Sequence, residues 1–182
     1  MHTINEFKQN LAIRFSSDAW LDAIDSSKWI LVRGCVLNAL CRVPFPDTKK
    51  QDVNLIYYVN DIADFKSSIE IILDNLNKMT VPGSVDKIKL EKIPGTPDYN
   101  VLLPCNVQLT FIWSVLGKSK NPLSHILHNF DMDICQVAFT GKHPYFLIIH
   151  YVNEFCRRQN PFNICILTSS CDEVIYRLQS TC

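Results

Sequence analysis

Glycine is scarce in this chain, at 5 of 182 residues, and with 9 prolines the composition excludes collagen-like, linker-like and low-complexity material. An excess of either charge is missing too. Lys plus Arg is 18 and Asp plus Glu is 18, so no overall basic field draws nucleic acid, and any such contact must rest on a local patch. No apolar run reaches the roughly 18 to 20 residues that cross a bilayer; the longest stretches are broken by Pro104, Asn106 and Gln108 or end near His150. The opening MHTINEFKQNLAIRF carries Glu6, Lys8 and Arg14 and lacks a small-residue cleavage site, so it does not read as a secretory signal. Close cysteine pairs are absent as well: the nearest, Cys35/Cys41 and Cys165/Cys171, have five residues between them, and a structural zinc is not expected.

What is present is apolar, at 47% against 20% charged, enough for one core in a chain of one-domain length. Cys35, Cys41, Cys105, Cys135, Cys156, Cys165 and Cys171 sit mostly in apolar stretches and read as small buried hydrophobes in a reducing, intracellular compartment, cytoplasmic or nuclear. Cys182 reads as a free thiol.

Residues 5 to 25 predict one or two short helices broken at Ser16, Ser17 and Asp18. Trp29 to Val32 is a short strand running through Arg33-Gly34-Cys35 into a helix. The loop VPFPDTKKQ leads to a second strand, DVNLIYYV, and then to an amphipathic helix over Asp61 to Met79 with Ile62, Phe65, Ile69, Ile72, Leu73 and Leu76 on one face. Val85 to Ile93 and Val101 to Trp113 are strand-like, separated by PGTPDYN. Asn121 to Asn129 is a short helix and FDMDICQVAF a strand. Tyr145 to Tyr151 begins either a strand or a helix reaching Arg158, Ile164 to Leu167 is short and apolar, and Ser169 to Ser180 predicts a terminal helix. Together these give one α+β domain over residues 1–182, with flanking helices on a mixed, mostly antiparallel sheet: a core of about 29–140 and an extension over 143–182.

The most informative constellation is WILVRGCVLNAL followed by QDVNLIYYV. A strand that turns at a glycine into a helix offers backbone N–H groups to a phosphate, and the next strand carries Asp52 and Asn54 two residues apart, hence on one face. In this order the elements resemble the DNA polymerase beta-like nucleotidyltransferase superfamily, whose core is a Gly-Gly or Gly-Ser turn, an Asp-x-Asp strand and a third acidic residue on a later strand. Residues 121–141 and the terminal Tyr176-Arg177-Leu178 are similar to a virus- and protist-associated branch of such proteins.

The resemblance implies a nucleotide-binding turn at Gly34 and Cys35, the latter lacking a serine hydroxyl. It implies a first metal carboxylate at Asp52. Asn54 falls on the second metal position, where an amide carbonyl is a poorer Mg²⁺ ligand than a carboxylate. The third position is either Gln108, on NVQLTFIW, or Asp131 or Asp133. If Gln108, two of three ligands have lost their charge and the two-metal mechanism loses its anionic bridge; if an aspartate, one Mg²⁺ could still be held. A separate cluster, His125 and His128 with Asp131 and Asp133, has helical spacing for a metal, although two histidines near a helix C-terminus also complement its dipole. The basic pairs Lys49-Lys50, Lys118/Lys120 and Arg157-Arg158 have no interleaved aromatics to make a nucleic-acid track.

Three functions follow as expectations. The first is a non-catalytic nucleotidyltransferase-like module with no cofactor, working through a protein partner or self-association. The second is an active, Mg²⁺-dependent nucleotidyltransferase using Asp52 with Asp131 or Asp133. The third is a metal-binding regulatory domain at His125.

Overall fold

A computed structural model describes residues 4–48, 51–59, 61–79, 87–115, 122–130, 137–141, 144–147, 165–168 and 174–177, the last three segments as backbone only. Helix α1 (Ile4–Phe15) leads through two 3₁₀ turns, Ser17–Ala19 and Leu21–Ala23, to strand β1 (Trp29–Val32) and helix α2 (Gly34–Leu40). Strand β2 (Val53–Tyr57) and helix α3 (Ile62–Met79) follow, then β3 (Lys89–Lys92), β4 (Tyr99–Leu102) and β5 (Gln108–Trp113). Helix α4 (Pro122–His128) precedes β6 (Val137–Phe139), β7 (Pro144–Leu147), β8 (Cys165–Thr168) and β9 (Val174–Arg177).

The described strands form one sheet in the order β3-β4-β5-β2-β1-β6-β7-β9-β8. Only β2 and β5 run parallel; every other neighbouring pair is antiparallel. The fold is therefore α+β on a mixed, mostly antiparallel sheet.

Strand alternation sorts the residues into two cores. One face buries Trp29, Leu31, Val53, Leu55, Tyr57, Leu109 and Phe111 against α1, α2 and α3, whose Phe7, Leu11, Val36, Phe65, Ile69 and Ile72 are all buried. The other face buries Ile30, Val32, Ile56 and Ala138 under Ile126, Leu127 and Phe130. Helix α3 shows why the spacing is legible: Phe65, Ile69, Ile72 and Leu76 are buried at i, i+4, i+7 and i+11. Ile62 stands off that face and is exposed. Asp61 caps the helix, its Oδ1 accepting from the amides of Ala63 at 2.8 Å and Asp64 at 3.1 Å.

Three expectations are corrected. Val101 to Trp113 is two strands, because Pro104 and Asn106, the latter at φ 60°, reverse the chain between β4 and β5, with the Leu103 amide donating to Val107 O at 2.9 Å. That reversal puts Cys105 in solvent, while Cys35 is buried and Cys41 half-buried; the apolar flanks of Cys105 belong to two strands and not to one buried segment. Within Ser169 to Ser180, the described part is the strand β9, rich in β-branched and aromatic residues, where Ile175 and Tyr176 pair with both β7 and β8 and Val174 pairs with β8. The carboxyl-proximal cysteines, Lys49-Lys50, Lys118, Lys120 and Arg157-Arg158 have side chains outside the described residues. No described helix is long and apolar enough to cross a membrane.

At the sheet end where β1 begins, Lys28 Nζ donates to both carboxylate oxygens of Asp64 at 2.9 Å, and the Tyr57 hydroxyl donates to Asp64 as well. The tyrosine hydrogen bond, then Lys28, holds the Asp64 carboxyl below its ordinary range, and the bond to Asp64 pushes Lys28 up. A depressed carboxyl contributes stability above its unfolded value of about 3.9, which is lost as pH falls through the folded value; the raised Lys28 contributes below about 10.4 and is lost as pH rises. The urea midpoint of Asp64→Asn should therefore lie below that of the parent at pH 7, and the gap should shrink by pH 3. A gap that stays constant between those pH values would remove the ionic role of Asp64.

Candidate functional site

The turn between β1 and α2 is made at Arg33, which takes φ 67°, ψ −144°, a backbone region normally left to glycine. Its amide donates to Val137 O at 3.2 Å, tying the turn to β6, and its guanidinium lies 4.7 Å from the centre of the Phe130 ring. Gly34 comes one residue later, as the first residue of α2. A Cβ at Gly34 would lie 3.8 Å from Gln51 Nε2, an ordinary contact, so neither space nor conformation requires glycine there.

Cys35 is fully buried in the helix-side core, with its thiol 3.4 Å from Val32 O, and burial pushes that thiol up to about 12. Its side chain thus packs away from any ligand at the turn.

Val32 is paired with Asn54 across β1 and β2, and the parallel pairing sets Asn54 beside Thr110 of β5. Thr110 in turn pairs with Asn100 of β4, and its hydroxyl donates to Asn100 Oδ1 at 3.0 Å. Since registered partners share a face, Asn54, Thr110 and Asn100 form a neutral polar row on the α4 side of the sheet. Gln108, two residues before Thr110, is on the same face, and the register continued one residue sets it alongside Asp52. Asp52 precedes β2 and is exposed; the Asn54 amide reaches its backbone oxygen at 3.4 Å.

The structure therefore brings Asp52, Asn54 and Gln108 to one sheet end, next to the β1–α2 turn. Asp131 and Asp133 lie outside the described residues. His125 and His128 are both exposed, and His128 Nδ1 is engaged with Ser124 O at 2.9 Å, within its own helix. No group of three His, Cys, Asp or Glu side chains suited to a metal ion occurs among the described residues. Arg33, Thr110 and Asn100 were not singled out by sequence reasoning. For Thr110 and Asn100 the missing signal is the pairing of β2 with β5, which no local pattern carries.

The described donors do not fit a two-Mg²⁺ site. Such a site needs carboxylates that bridge the ions, and here, among the described residues, Asp52 is joined by the amides of Asn54, Asn100 and Gln108 and the hydroxyl of Thr110.

No family model matches the chain, and no curated protein matches it. Among solved structures, it is similar to a tRNA nucleotidyltransferase crystallised with a primer tRNA and an incoming ATP analogue, at 14% identity and a TM-score of 0.41, over 62% of this chain and 27% of that one. It is also similar to a CCA-adding enzyme in complex with CTP, at 14% identity and a TM-score of 0.48, over 74% of this chain and 30% of that one. The chain thus spans less than a third of the length of either protein.

Proposed function

We propose that this chain is a nucleotidyltransferase-like module that does not transfer nucleotides and works through contact with another protein or with a second copy of itself. The observation that carries the reading is the neutral row Asn54–Thr110–Asn100, with Gln108 beside Asp52, on the strands where the resembled superfamily keeps its metal carboxylates. Phosphoryl transfer depends on positioning and on charge neutralised by metal ions, so amides in place of carboxylates take away the groups that hold those ions. The similarity of residues 121–141 to a virus- and protist-associated branch belongs to the same proposal.

Calorimetry with Mg²⁺ or Mn²⁺ and each nucleoside triphosphate should show no saturable heat, and labelled triphosphates should give no incorporation into RNA, DNA or protein. Metal-dependent nucleotide binding that disappears in Asp52→Ala would overturn this reading and return Asp52, with Asp131 or Asp133, to a catalytic role. In Asn54→Asp, a gain of Mg²⁺ binding would support a nucleotidyltransferase frame that has lost one ligand.

A further inference from the structure

Two adjacent residues of the β1–α2 turn are the reverse of what their conformations ask for. Arg33 takes φ 67°, ψ −144°, which strains any residue but glycine, while Gly34 opens α2 without a positive φ and has room for a Cβ. Turning over the one peptide unit between them changes ψ of Arg33 and φ of Gly34 by about 180° each and moves little else in the chain. Arg33 then stands at φ 67° with ψ of about 36°, inside the left-handed helical well that residues with side chains do enter. Gly34 goes from a helical φ of about −63° to about +117°, on the half of the map that glycine alone populates freely. The reversed orientation is thus the one that spares Arg33 and the one that requires glycine at position 34.

The anchors of the turn survive the reversal. The Arg33 amide belongs to the preceding peptide unit, so its bond to Val137 O at 3.2 Å stays, as does the seat of the guanidinium on the Phe130 ring. What is given up is the Arg33 carbonyl, which accepts from the amides of Val36 and Leu37, each at 3.1 Å. Those two bonds oppose the strain at Arg33 and hold the observed orientation as the main one.

We propose that the β1–α2 turn is a two-state device, in which the observed form exchanges with a minor form, populated at about 1–10%, whose Arg33–Gly34 peptide unit is reversed. The moving unit lies beside the polar row, because Val32 is paired with Asn54. This inference does not need the reading given under the proposed function.

The test is amide relaxation-dispersion NMR on the full chain, which reads exchange between microseconds and milliseconds. The amides of Gly34, Val36 and Leu37 should exchange at one shared rate, while Ile69 in α3 shows none. Gly34→Ala should quench the exchange at Val36 and Leu37, because alanine is barred from the reversed form, with the circular dichroism unchanged. Arg33→Asn should act in the opposite direction and raise the minor population about threefold, because asparagine enters the left-handed well more readily than arginine. The ring contact that this second variant loses is common to both forms and does not bias them. The proposal is overturned by exchange that persists in Gly34→Ala, by a minor population unchanged or lowered in Arg33→Asn, or by an absence of exchange at Val36 and Leu37 in the parent.

Discussion

Trp29→Ala is expected to lower the unfolding free energy by about 4 kcal/mol, the scale for truncating a fully buried aromatic residue. Trp29 is 1% exposed, and its ring meets those of Tyr57 and Phe111 at 5.0 Å and Phe65 at 5.6 Å between centroids. These contacts join β1, β2, β5 and α3, so the loss falls where four elements meet on one side chain. Its Nε1 also donates to the buried hydroxyl of Ser68 at 2.7 Å, which truncation would leave without that donor. Trp29→Phe keeps most of the ring volume and should cost about half as much. Urea unfolding followed by far-ultraviolet circular dichroism separates the two, because it does not depend on the removed fluorophore. A loss below about 1.5 kcal/mol for the alanine variant would mean that the site collapses around the gap, and that the aromatic cluster is not the centre of the core.

A comparable loss, about 3 kcal/mol, is expected for Asn38→Ala, by a different cause. Asn38 is fully buried in α2, yet its side chain is satisfied on both sides. Nδ2 donates to Thr48 Oγ1 at 2.8 Å and Gln51 Oε1 at 2.9 Å, and Oδ1 accepts from Arg14 Nη1 at 3.1 Å and from the Phe45 amide at 3.4 Å. Arg14 donates further to Asn38 O, to Cys41 O at 2.9 Å and to Arg42 O at 3.0 Å, closing the C-terminal end of α2 with a cation. Alanine removes the hub and leaves several partners unpaired in a part-buried setting. The same loop leads into Gln51 and Asp52. Hydrogen exchange should therefore speed up at the amides of Phe45 and Gln51 in Asn38→Ala, with little change at Ile69 in α3. Uniform acceleration across both regions would assign Asn38 to global stability alone. Asn38→Asp is the sharper comparison: it keeps the acceptor for Arg14 and loses the donor to Thr48 and Gln51.

Much of this architecture is legible without coordinates, where one element's periodicity decides its own burial. The α3 spacing Phe65, Ile69, Ile72, Leu76 and the β-branched, aromatic run around Leu55 to Tyr57 are of this kind. Legibility fails where a turn hides inside an apolar run, as at Pro104 and Asn106, or where alternation competes with apparent helix caps, as at Val174 to Arg177. At the candidate site it fails for another reason. The spacing of Asp52 and Asn54 follows from strand geometry, but the neighbours of Asn54 follow from the parallel pairing of β2 with β5 across an intervening helix and two strands. The glycine signal also misleads, since the positive φ falls on Arg33, a residue whose own propensity argues against it.

One margin of the sheet bears on how molecules of this protein meet one another. Strand β3 ends the sheet, all four of its residues are exposed, and three of them, Lys89, Glu91 and Lys92, are charged. An outermost strand presents N–H and C=O groups that can template another strand, which is a route to aggregation of sheet proteins. Pairing there would force two lysines and a glutamate of each chain to give up water together, on both faces of the growing sheet. The charges leave the main fold untouched and instead set a toll on edge-to-edge growth, so this margin of the sheet stays a boundary.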